Sequence, residues 1–137
     1  MAAKIRKGGT RGTLFKELAK MRLLDAKVLL KGNRNLGAVY LAGYAVECAL
    51  KWAITERYET PCLAKELEIH DLDKLLKASG LDPYMAVDDK IRPLFSALTD
   101  GWGPQGRYSG KHLSAVEASL LYKQALQVHT WIIEKSL

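Results

Sequence analysis

The chain has 137 residues, which is room for one domain and little for two. Hydrophobic residues make up 48% and charged residues 26%, enough apolar material for a core and too much for a disordered chain. The formal net charge is +6, and the only two cysteines, Cys48 and Cys62, stand alone, which excludes a disulfide scaffold and makes buried free thiols the expectation.

The longest uncharged apolar stretch runs from Leu36 to Val46. Glu47 interrupts it well short of the ~20 residues that a membrane span needs. No apolar segment follows the basic N-terminus, so no signal peptide is expected, and the expected location is the cytoplasm, with no membrane partner.

Residues 1–12 contain Gly8, Gly9 and Gly12 and no apolar period, and read as a flexible basic arm ahead of a domain over residues 13–137. Residues 1–34 hold ten Lys and Arg against only Glu17 and Asp25. Such a local excess attracts polyanions such as RNA through contacts that weaken with salt. The candidate RNA-binding residues are Lys4, Arg6, Lys7 and Arg11 on the arm and Lys16, Lys20, Lys27 and Lys31 beyond it. The competing reading of the same charges is a solvated, solubilising surface.

Thr13 can cap a first helix from Leu14 to Lys31, with Gly32 as its stop. Leu14, Leu18, Met21 and Val28 fall near one face and are the expected core stripe, while the four lysines gather within about 60° on another face. A second helix follows from about Leu36 to Tyr58 and is apolar nearly all round. Glu47, Lys51 and Thr55 form its only polar stripe at i, i+4 and i+8. A helix of this kind is buried nearly all round, and one small bundle is expected to need a second copy to cover it.

Pro61 breaks the chain, and a helical turn over residues 62–67 can follow. Residues 71–79 predict a short helix with Leu72, Leu75 and Leu76 inward and Gly80 as its stop. Asp82 and Pro83 predict the start of another, running to about Leu98 and kinked or split at Pro93. Residues 100–110 read as a Gly-rich loop. The last helix starts at His112 or Ser114 and runs to about Glu134, with Ser114 and Glu117 as a capping box and Ala118, Leu121, Ala125, Val128 and Ile132 as its inner stripe. No segment alternates with period two. The expected fold is all-α, an antiparallel bundle of four to five helices.

Leu41 to Ile54 (LAGYAVECALKWAI) resembles the "A-x-Y-L-A-G-Y-x-x-E-x-x-L-K" helix of HEPN domains. RLLDAKVLL from Arg22 resembles their first helix, HDLDKLL from His70 their short third element, and WGPQGRY from Trp102 the loop before their final helix. The resemblance spans about residues 15–135 in order. It implies a HEPN-like bundle that commonly forms a homodimer. It also implies a metal-independent endoribonuclease, with a toxin–antitoxin pair as one setting and a small nucleotidyltransferase-type antitoxin as the partner. The alternative within the family is a non-catalytic module that binds a nucleotide or a nucleotidyltransferase. No cofactor is implied.

Active members carry Arg followed four to six residues later by His, and Arg107 to His112 (RYSGKH) matches at the family position. These two are the candidate catalytic residues. A neutral imidazole can take a ribose 2′-hydroxyl proton, and a guanidinium can hold the phosphate as charge builds on it. Tyr108 either pins the loop or stacks on a base. Glu47 and Lys51 form either a structural ion pair or a support that orients Arg107 or His112. Trp52, Trp131 and Tyr44 read as core. His70, His112 and His129 have no metal-ligand spacing, so no metal site is expected.

Overall fold

The computed structural model describes residues 10–102 and 112–137. Among them the chain is all-α: α1 (Gly12–Lys31), α2 (Asn35–Arg57), a 3-10 turn (Lys65–Leu67), α3 (Leu72–Ser79), α4 (Asp82–Ala86), α5 (Ile91–Gly101) and α6 (Ala115–Ser136). α2 is the axis of the bundle, with α1, α6 and α3 packed around it and α5 closing against α6. No helix among the described residues is long and apolar enough to cross a membrane.

The enclosure of α2 is nearly complete. Every residue from Ala45 to Thr55 is buried, including Glu47 and Lys51. A single chain therefore covers this part of the helix, while Leu36 and Tyr40 near its start stay exposed. Small residues make this possible, because Ala38, Ala42, Ala45 and Ala49 let neighbouring helices approach closely. Ala19 and Ala26 on α1 are likewise fully buried.

That close approach corrects the expected face of α1. Phe15, Ala19, Leu23 and Ala26 are inside, whereas Leu14, Met21 and Val28 are exposed and Leu18 is half-buried. The helix also starts earlier than expected. Arg11 is its N-cap and makes no side-chain cap bond, so Thr13 is not the cap. The Gly12 amide donates to the Pro61 carbonyl (3.0 Å) and the Leu63 amide to the Thr10 carbonyl (2.8 Å), which ties Thr10 to Gly12 into the fold. A Cβ at Gly12 would collide with Thr55, so glycine permits this crossing.

Downstream, α3 forms as its signals predict. Asp71 caps it by accepting from the Lys74 amide, Leu72, Leu75 and Leu76 are buried, and Gly80 ends it in the left-handed region at φ 76°. Pro93 does not split the next segment; the break falls at residues 87–90. Pro93 is the third residue of α5, in the first turn, where its missing N–H costs no helical bond. Asp88 provides the start instead, accepting from the Lys90 and Ile91 amides, and the Ile91 amide in particular holds its carboxyl below the usual range. Asp82 lies inside α4 and Leu81 is its N-cap. α5 continues through Asp100 to Gly101, residues expected in the loop, with Trp102 as its C-cap; residues 103–110 of that loop lie outside the described residues. α6 carries the full capping box of Ser114 and Glu117, and its five predicted inner residues are all buried.

Packing makes two positions sensitive to change. Gly43→Ala would drive a methyl into the Trp102 ring; the expected result is displacement of Trp102, read as a changed tryptophan emission, with a loss of about 1–3 kcal/mol in urea unfolding. His129 is buried on α6, both ring nitrogens lack partners among the described residues, and burial, then the Lys20 charge, lower its pKa. The unfolded chain takes up that proton near pH 6.5 while the folded chain resists it. Stability from this group is therefore complete above about pH 6.5 and lost as pH falls towards the folded value. Urea midpoints measured from pH 7.5 to 5.5 should fall less for His129→Leu than for the wild type.

Candidate functional site

A carboxylate without solvent access lies at the middle of α2. Lys51 Nζ donates to Glu47 Oε2 at 2.9 Å, one helical turn on, as the i, i+4 spacing dictates. Lys51 also lies 5.5 Å from the centre of the Phe15 ring. The second carboxylate oxygen, Oε1, lies 2.8 Å from Nδ1 of His70. A carboxylate accepts, so His70 Nδ1 carries the proton that it donates to Glu47. The His70 side chain is 74% exposed while Glu47 is 1% exposed, so a buried group orients a surface imidazole.

His70 opens on a recess of about 260 Å³ that Asp71, Asp73, Thr99 and Trp102 complete. Trp102 is fixed by donating from Nε1 to the Tyr40 carbonyl (2.9 Å) and by packing on Gly43. Beside the Glu47 pair, burial and the Glu47 charge push the Cys48 thiol up to about 12, and burial raises Tyr44. Cys48 and Cys62 are both buried free thiols, as expected, and Cys48 is inert as a nucleophile.

His112 lies by the start of α2. It is exposed just ahead of α6 and lines a recess of about 570 Å³ with Leu29, Asn33, Arg34, Asn35, Leu36, Gly37 and Leu113. Asn35 Nδ2 donates to the Leu113 carbonyl at 3.0 Å, which ties the segment carrying His112 to the start of α2. Gly37, in the first turn of α2, is ten residues from Glu47, or about 15 Å along the axis. Glu47 is thus spent on Lys51 and His70, and does not serve His112.

The remaining candidates divide. Arg107, Tyr108, Lys4, Arg6 and Lys7 lie outside the described residues. Arg11 is exposed at the start of α1. Lys16 is half-buried, with its ammonium 4.7 Å from the centre of the Trp52 ring, so it is drawn from the expected phosphate-facing stripe into a cation–π contact. Lys20, Lys27 and Lys31 are exposed. Trp52 and Trp131 are core, and Tyr44 packs against it. Among the described residues no group of three or more His, Cys, Asp or Glu could hold a metal ion.

Two residues gain a role only from the fold. His70 has no assigned part in the third element by sequence, although a histidine directly before an Asp cap sits where a helix start can present it. Arg34 reads in the sequence only as one more basic charge, yet it lines the larger of the two recesses. No protein-family model, curated protein or solved structure matches the chain.

Lys51→Met removes the ammonium and leaves a buried carboxylate with only His70. The expected cost is about 3–5 kcal/mol in urea unfolding. Glu47→Gln with Lys51→Met together should recover part of that loss, because the buried charge is then gone.

Proposed function

We propose that the chain is a HEPN-like, metal-independent endoribonuclease acting on single-stranded RNA, with His112 as the base that takes the 2′-hydroxyl proton and Arg107 as the guanidinium that steadies the phosphate. The observation that carries the reading is the place of His112: an exposed imidazole on a recess of nucleotide size, directly before the final helix of an all-α bundle. Among the described residues no acidic side chain lines that recess, so nothing in this lining repels a phosphodiester. The smaller recess has Asp71 and Asp73 in its wall, and it is the poorer seat for RNA. Lys20, Lys27 and Lys31, exposed on α1, add general attraction for the backbone.

The reading brings two partners: a second copy of the chain, and a nucleotidyltransferase-type antitoxin if the protein is the toxin of a pair. With α2 enclosed from Ala45 to Thr55, the second copy is better met on α1. Leu14, Met21, Leu24 and Val28 are 49–70% exposed there and extend over four turns, about 21 Å.

Fluorescent single-stranded RNA incubated with the protein in EDTA tests the activity. The wild type should cleave, and His112→Ala should lose about 10²–10⁴ in rate while keeping its helical spectrum. Equal cleavage by both would remove His112 from the mechanism. Intact RNA with the wild type, across varied sequences, would leave the alternative, a non-catalytic module that binds a nucleotide.

A further inference from the structure

The larger recess contains a cation that the Arg–His motif does not include. We propose that Arg34 is the phosphate seat of this recess, and that the recess takes one nucleotide of RNA with its phosphate on Arg34 and its apolar face on Leu29, Leu36 and Leu113. This deepens the reading of His112 as part of an RNA site and rests on it for the choice of substrate.

Arg34 immediately precedes α2, in the short connection that returns the chain from α1. The connection is held from the backbone: the Arg34 amide donates to the Leu29 carbonyl at 2.8 Å, and Asn33 adopts a positive φ of 59°. Its course is therefore fixed, and it sets Arg34 among the residues that line the recess. The guanidinium has no acidic partner among the described residues, unlike Arg22 and Arg92, which are paired with Asp25 and Asp89. An unpaired guanidinium keeps its whole fork of donors for an incoming phosphate.

The rest of the lining fits a nucleotide better than a bare anion. Three leucines supply an apolar surface that inorganic phosphate would not use. Asn35 also lines the recess. Its amide nitrogen donates to the Leu113 carbonyl, which ties the start of α2 to the segment carrying His112. His112 lines the same recess, where it can meet the sugar of the bound nucleotide and take a 2′-hydroxyl proton.

Binding of uridine 3′-monophosphate and adenosine 3′-monophosphate by calorimetry tests the seat apart from cleavage. The wild type should bind both, and bind uridine without phosphate more weakly. Arg34→Ala should weaken nucleotide binding by about tenfold or more, the usual loss for a charge-assisted hydrogen bond. Arg34→Lys should recover part of it, and Lys77→Ala, a charge removed from exposed α3 surface, should bind like the wild type. Circular dichroism melts would confirm that the exposed Arg34 is not needed for folding. No binding of either nucleotide by the wild type, or equal binding by Arg34→Ala, overturns the proposal. Nucleotide binding that depends on Arg34 without RNA cleavage keeps the seat and rejects the ribonuclease. Cleavage unaffected by Arg34→Ala rejects the seat alone.

Discussion

Glu47 is an ionisable group on the most enclosed helix of the protein, and its burial sets conditions on everything around it. A carboxylate removed from water needs donors for both oxygens. Lys51 supplies one from the same helix, a local solution that the i, i+4 spacing guarantees. His70 supplies the other from outside, and so fixes where the chain must pass as it enters α3. The Asp71 cap follows at once, and the buried Leu72, Leu75 and Leu76 then anchor α3 against α2. One polar constraint in the middle of an apolar helix thus positions the third element of the bundle.

The same helix separates two surfaces of opposite character. Towards its middle, His70 opens on a recess walled by Asp71 and Asp73. At its start, Arg34 and His112 face a recess with no acid in its described lining. About 15 Å of helix lies between Glu47 and the second recess, so the two imidazoles are served by different surroundings. His70 is the better oriented, with a buried carboxylate behind its ring. His112 is in the better field for a polyanion. This division is why Glu47 pairs with Lys51 rather than supporting His112, and why the proposed RNA site is at the Arg34 end.

Elements governed by local chemistry are legible in the amino-acid order. The capping box of Ser114 and Glu117 and the Gly80 stop are each decided within a few residues, and each appears where those residues place it. The inner stripe of α6 is equally readable, because its buried positions include the large residues Leu121, Val128 and Ile132. On α1 the same periodicity points to the wrong face. Hydrophobic periodicity weighs leucine, methionine and valine above alanine, but close helix packing selects for small size. Ala19 and Ala26 go inside, and Leu14, Met21 and Val28 stay out. Pro93 misleads for a related reason: a proline breaks a helix only beyond its first turn, and where that turn begins is decided by Asp88.

The amino-acid order alone established that the chain is helical, which segment is the central helix, that Glu47 and Lys51 stand one turn apart on it, and that Ser114 and Glu117 cap the last helix. All of these depend on contacts within one or two turns, whose geometry the backbone fixes. Only the folded chain decided which face of α1 is buried, that one chain encloses α2 from Ala45 to Thr55, that Glu47 reaches His70 across 23 residues, and that Arg34 and His112 share a recess across 78. These are long-range pairings, and they follow from how closely helices can approach and which polar groups burial leaves in need of a partner.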